Sequence, residues 1–182
     1  MGPRRLLRLL QVSLARGEQM DLHDVLRVRR RVWPGDLDEL RHVNNGVYLS
    51  MLDLARYELL KRSGVWRRMQ QARLYPVVAA QTIAYRKSLR LGQRFGIETR
   101  VLGYDARAVY LEQRFVVHGE IYARAHIQGR FLRRGGGVVP MVEVGELVGI
   151  DIHAHPAPEW LHEWARAVAL PSTRKPAPSD WG

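Results

Sequence analysis

The stretch PGDLDELRHVNNGVYLSMLDLARYELL, Pro34–Leu60, decides how the chain is read. Its first part packs Asp36, Asp38, His42, Asn44 and Asn45 into ten residues. Its second part carries Tyr48, Met51, Leu52, Ala55 and Leu59 at helical spacing, and Ser63-Gly64 supplies a stop. Polar groups this dense ahead of an amphipathic run are either an elaborate helix cap or a chemical site. Asn44 or Asn45 begins the helix on both readings, because a short side-chain oxygen can accept the free N–H groups of a first turn. Asp36 and Asp38 suit turns for the same reason.

Outward from this stretch the period changes. Upstream, DVLRVRRRVW (Asp24–Trp33) alternates Leu26, Val28, Arg30 and Val32, a mostly apolar side, against Val25, Arg27, Arg29 and Arg31, a half-buried strand ended by Pro34-Gly35. Downstream, a basic connection (Trp66–Arg73) leads into four strand-like segments. The first, YPVVAAQTIAYRKSL, is apolar and small, as expected of a strand buried on both faces or lying at an interface. The next three alternate: Phe95, Ile97, Thr99 and Val101; then Val109, Leu111, Phe115 and Val117; then Ile121, Ala123, Ala125 and Ile127. Short connections between such segments predict an antiparallel meander. One sheet with one apolar face needs a cover, and the single long helix is available. The expectation is an α+β fold, a curled antiparallel sheet of five or six strands wrapped around one long central helix.

The 182 residues suit one domain with additions at each end. The reading assigns 1–20 to a basic amphipathic helix, 21–150 to the main domain, 151–170 to a C-terminal helix and 171–182 to a loose, proline-rich tail. An apolar fraction of 46% excludes wholesale disorder, and the absence of cysteine excludes disulfides, thiolate metal sites and cysteine nucleophiles. It also fits a reducing compartment, here expected to be the cytoplasm. The net charge is +11, and residues 1–34 hold eight arginines against three acids. Such an excess favours polyanions: nucleic acid, anionic lipid or a phosphorylated small ligand. No nucleic-acid motif accompanies it, so nucleic acid is not expected as a partner. Leu6, Leu7, Leu10 and Leu14 share one helical face, which leaves membrane-surface contact through residues 3–16 open beside plain packing on the domain. His153, His155 and His162 lack a metal-ligand spacing and read as loop histidines.

The pattern and the motif together resemble the hotdog-fold thioesterases, in the branch of 4-hydroxybenzoyl-CoA thioesterase-like enzymes and their acyl-CoA relatives. The likeness covers roughly residues 25–132. It is carried by GDLDELRHVNNGVYLSMLDLAR, which resembles the family's Asp-x-Asp-x-x-Gly-His-Val-Asn-Asn-x-x-Tyr signature, and by YRKSLRLGQ further on. The resemblance implies that Asp38 is the catalytic nucleophile or general base. It implies that the backbone N–H of Asn45 polarises a thioester carbonyl, with His42 in the same catalytic set and Asn44 and Tyr48 shaping the substrate side. One position departs: Arg41 stands where the family has glycine, and glycine admits backbone conformations that arginine adopts only at a cost. A changed loop is therefore expected there.

The implied activity is hydrolysis of an acyl-CoA or acyl-carrier-protein thioester. No cofactor is needed, coenzyme A being part of the substrate, and the implied assembly is a homodimer or dimer of dimers. Arg86 and Lys87, and Arg133 and Arg134 before three glycines, are candidates for meeting the phosphates of coenzyme A. A flexible surface hairpin accounts for the second pair equally well. The alternative function is a hotdog protein that binds acyl thioesters, or organises an assembly, without cleaving them.

Overall fold

The computed structural model describes residues 19–172 and 175–179. The expected helix within residues 1–20 and its membrane contact through 3–16 lie outside the described residues up to position 18, as does part of the expected tail.

A strand, β1 (Leu26–Arg31), and a single 3-10 turn (Pro34–Asp36) precede the long central helix α1 (Asn45–Arg62). A short helix α2 (Val65–Gln71) then leads into β2 (Leu74–Tyr85), followed by β3 (Arg94–Tyr104), β4 (Val109–Val117) and β5 (Glu120–Arg133). The expected four-segment meander is realised only by β3, β4 and β5, since β2 pairs with β5 and not with β3. The two-residue strand β6 (Val138–Val139) and helices α3 (Met141–Val148) and α4 (Glu159–Ala167) complete the chain. The sheet runs β1-β3-β4-β5-β2, with β6 on β5, and every pairing is antiparallel. It is an open sheet whose two edges are β1 and β2. Register shifts at Val78/Ala80, Val101/Gly103 and Phe115/Val116 bend it locally, as an extra residue in one strand does.

The inner face of the sheet carries the expected apolar sets. Phe95 and Ile97 on β3, Leu111 and Phe115 on β4, and Ala123, Ala125 and Ile127 on β5 are all buried. They meet the buried face of α1, formed by Tyr48, Met51, Leu52, Ala55 and Leu59. One polar link crosses this core. Gln113, fully buried, donates to Leu52 O at 3.1 Å and to Thr99 Oγ1 at 2.9 Å, and accepts from Arg56 Nη1 at 2.5 Å. Arg56 also pairs with Asp53 on the same helix. A satisfied network of this kind fixes the helix in one register on the sheet, because any shift would strand buried polar groups. Burial lowers the affinity of the Arg56 guanidinium for its proton, partly offset by Asp53.

Three stretches differ, in whole or in part, from the sequence reading. The basic connection after α1 is the helix α2, which buries Val65 and Met69. The stretch after the glycine triplet, where periodicity fades, holds β6 and α3, the latter burying Met141, Val144 and Val148. The segment expected to be buried on both faces or to lie at an interface is β2, an edge strand with Tyr75, Val78 and Tyr85 exposed, so it is not buried on both faces within this chain. Helix α4 lies against the outer face, where Leu161 is buried with Tyr110 and Trp164 Nε1 donates to Thr82 Oγ1 at 3.2 Å. Among the described residues no helix is long and apolar enough to cross a membrane.

Tyr48 ties α1 to the β2–β3 connection: its hydroxyl accepts the N–H of fully buried Leu89 at 3.1 Å. Its ring packs edge-on against Tyr85 and Phe115. Tyr48→Phe keeps the ring and orphans that N–H, so it should lower unfolding free energy by about 1–2 kcal/mol in denaturant titration.

Candidate active site

The site begins where β1 ends. Pro34 fixes the first residue of the 3-10 turn, and the turn folds Asp36 back into the protein. Buried Asp36 accepts the Trp33 N–H on Oδ2 at 2.9 Å, and its carbonyl accepts the Asn44 N–H at 2.9 Å. The seven residues between are thereby closed into a compact loop, with Leu37 bridged to Val43. Asp36 is thus a structural clamp, as its turn preference suggested.

Asp38 organises the inside of that loop. Its N–H donates to His42 O at 2.8 Å, and its Oδ1 accepts the N–H groups of Leu40 at 3.0 Å and His42 at 3.1 Å. Its other oxygen, Oδ2, has no hydrogen bond among the described residues, and the side chain is half-exposed. Arg41 holds the left-handed conformation, φ 61°. Arg41 therefore takes a conformation that glycine adopts freely, with arginine bearing the conformational cost. The Arg41 N–H donating to Asp38 O at 3.1 Å, and the two bonds to Asp38 Oδ1 on either side of it, hold it there.

Helix α1 starts immediately beyond. Asn44 is its N-cap: Oδ1 accepts Gly46 N–H at 2.8 Å, and its carbonyl accepts Val47 N–H at 2.9 Å and Tyr48 N–H at 3.3 Å. With Asn44 N–H bound to Asp36, one backbone donor in this first turn has no acceptor among the described residues, that of exposed Asn45. An unused N–H at the positive end of an 18-residue helix is a ready donor to an anionic or polarised oxygen.

The remaining candidates are distributed around this centre. His42 forms an isolated bridge with Arg90 and lines a groove with Lys87, Ser88, Gln93 and Tyr122. Lys87 and Arg86 reach Glu120, each at 2.7 Å, and hold its exposed carboxyl below the usual range. Arg133 pairs with Glu143, and Arg134 is exposed. The register sets Leu74 opposite Arg133 and Tyr85 opposite Ala123, so the two basic pairs sit at opposite ends of the β2–β5 ladder. At the usual rise per residue that is about 35 Å, so one subunit does not bring them together. An apolar cavity of about 190 Å³ lies along the C-terminal half of α1, walled by Tyr57, Leu60, Trp66, Val77, Phe131 and Val144. Sequence reasoning missed it because α2 and α3, which help wall it, were not read as helices.

Comparisons with known proteins agree with this architecture. The chain is 43% identical to Protein THEM6 of Xenopus laevis over 99 residues, which are 54% of this chain and 48% of that protein. With Protein THEM6 of Danio rerio the identity is 41% over 113 residues, 60% of this chain and 56% of that one. The chain spans about half the length of the curated relatives it matches. Among solved structures, the YbaW probable thioesterase of Escherichia coli superposes with a TM-score of 0.63 at 24% identity, over 67% of this chain and 95% of that one. The BH1999 gentisyl-coenzyme A thioesterase gives a TM-score of 0.60 at 19% identity, over 66% of this chain and 99% of that one. At those identities the two structures show a shared fold. The model of the thioesterase-like superfamily matches residues 32–165, from the end of β1 into α4, and the chain belongs to that superfamily.

Proposed function

We propose that the protein hydrolyses an acyl thioester of coenzyme A or of a carrier protein, with Asp38 as the reacting carboxylate and the Asn45 N–H as oxyanion donor. The observation that carries this reading is the pairing, at one helix end, of an unused backbone N–H with a carboxylate whose outer oxygen is unoccupied. A thioester carbonyl placed between them is polarised by the donor and exposed to the acid. Asp38 Oδ2 then attacks the carbonyl carbon, the C–S bond breaks, and water resolves the resulting anhydride; alternatively Asp38 takes the proton of an attacking water. In both routes the tetrahedral oxyanion forms beside the Asn45 N–H and the helix dipole, where its charge is stabilised. The two N–H groups on Oδ1 hold the carboxylate in one orientation. The cavity along α1 offers room for the far end of an acyl chain, since Asn45 and Asp53, one of its lining residues, are about 12 Å apart along the helix axis.

The assembly belongs to the same proposal. Strand β2 has twelve residues, none charged, and presents an unpaired edge with exposed Tyr75, Val78 and Tyr85. Such an edge is a template for another strand, and a second copy of β2 is the natural partner for a homodimer. A binding protein without turnover is the competing reading, favoured by the engagement of Asp38 Oδ1 in the loop.

Acyl-CoA hydrolysis followed by thiol release separates the two. Asp38→Asn should lower kcat by roughly a thousandfold with the melting temperature nearly unchanged. Asp36→Asn should cost about 1 kcal/mol of stability and leave kcat within about threefold. Thermal stabilisation by acyl-CoA without thiol release from the wild-type protein would establish the binding reading instead. Arg41→Gly should relieve the left-handed strain, keep turnover, and change unfolding free energy by between zero and about +1 kcal/mol. Val78→Lys should shift the native mass from dimer to monomer in light scattering; an unchanged mass would move the interface elsewhere.

A further inference from the structure

The sheet obeys charge pairing at one end of β1 and breaks it at the other. Arg27 lies opposite Glu98 in the β1–β3 ladder and bonds it at 3.1 Å. Four residues on, Arg31 lies directly opposite Arg94, and Arg29, on the same face, lies opposite Gly96. Like charges directly opposed in a ladder are destabilising, and none of these three arginines has an ion pair among the described residues. A groove of about 370 Å³ runs beside them, with Arg29, Arg30, Arg31 and Arg94 at its rim, Trp33 at its wall and buried Met51 and Leu54 at its floor.

Three large apolar side chains stand out at this same end: Trp33 is 58% exposed, Leu40 77% and Leu91 56%. The backbone knits them together. Val32 exchanges hydrogen bonds with Gly92 and Gln93, Val43 N–H donates to Leu89 O, and His42 is bridged to Arg90. Arg41 and Arg90 flank Leu40 and Leu91 in sequence, also without ion pairs among the described residues. The acids nearby are Asp38 and Glu39, with Asp36 buried and Glu58 paired to Arg30 at 2.8 Å. Five uncompensated arginines against two exposed or half-exposed acids leave this end positive.

We propose that this end docks on an anionic lipid surface, Trp33, Leu40 and Leu91 entering the headgroup boundary while Arg29, Arg31, Arg41, Arg90 and Arg94 meet lipid phosphates and carboxylates. Tryptophan and leucine tips ringed by arginine have the chemistry of an interfacial anchor: the apolar bodies gain by leaving water, and the guanidiniums remain at headgroup depth. An acidic protein would satisfy the arginines, but Trp33 and Leu40 on the β1–α1 connection and Leu91 on the β2–β3 connection stand out from the surface, a shape suited to entering a soft boundary. Pairing through β2 leaves the anchor free, because β1 and β2 are opposite edges of the sheet. The candidate thioester site then faces the membrane, where long-chain acyl amphiphiles partition.

Co-sedimentation of the full chain with phosphatidylcholine vesicles, with and without phosphatidylserine, tests this. Binding should require phosphatidylserine and weaken with salt. The triple variant Trp33→Ala/Leu40→Ala/Leu91→Ala, and separately Arg29→Glu/Arg31→Glu/Arg94→Glu, should each weaken it at least about tenfold. Both variants leave residues 1–18 intact, and circular dichroism with thermal melting verifies that each is folded. Brominated phosphatidylcholine, mixed with phosphatidylserine, should quench tryptophan fluorescence in the wild type and lose most of that quenching in Trp33→Phe, a variant that conserves bulk if the triple variant fails to fold. The proposal is overturned by wild-type binding indifferent to phosphatidylserine, by no binding at all, or by binding and quenching that survive these substitutions. A change in native mass in the triple variant, without vesicle binding by the wild type, would make this end a contact between copies and equally overturn it.

Discussion

The start of the central helix depends on Asn44. Its side chain and carbonyl together take the N–H groups of Gly46, Val47 and Tyr48, and its own N–H is held by Asp36 O. This cap fixes the residue at which α1 begins, and with it the one N–H of the first turn that has no acceptor among the described residues, that of Asn45. Moving the helix start by a residue would present a different donor and would rotate Tyr48 away from Leu89 and the Phe115 ring. The catalytic proposal and the packing of the core thus rest on the same hydrogen bonds.

The loop ahead of the cap shows how one carboxylate can be both structural and open. Asp38 Oδ1 satisfies two backbone donors, which would otherwise face each other across a tight turn. The left-handed Arg41 lies between those donors, so the bonds to Asp38 offset the strain that a side chain incurs there. Glycine would hold the same turn without that strain. Arginine at this position adds an exposed cation.

Much of this was legible in the sequence because the information is local. The cap, the two aspartates and the helix face are contiguous, and the alternation of β3, β4 and β5 follows directly from which residues meet α1. What escaped depends on distant partners. Helix α2 buries only Val65 and Met69, too few positions to stand out from its arginines. Helix α3 follows Pro140 with Met-Val-Glu-Val, a pattern that two and 3.6 residues per period fit about equally well. The apolar run of β2 does not reveal that it is an edge. That Arg86 and Arg133 stand at opposite ends of one ladder follows from a register no single segment encodes, and the bond of Tyr48 to Leu89 joins residues 41 positions apart.

The account stands or falls on where a thioester carbonyl rests. The direct measurement is a crystal structure with a non-hydrolysable acyl-CoA ketone, in which a methylene replaces the sulfur. The account predicts the ketone oxygen about 2.7–3.1 Å from Asn45 N, with Asp38 Oδ2 facing the carbonyl carbon. A carbonyl bound away from both, with Asn45 N–H still without a partner, would contradict it.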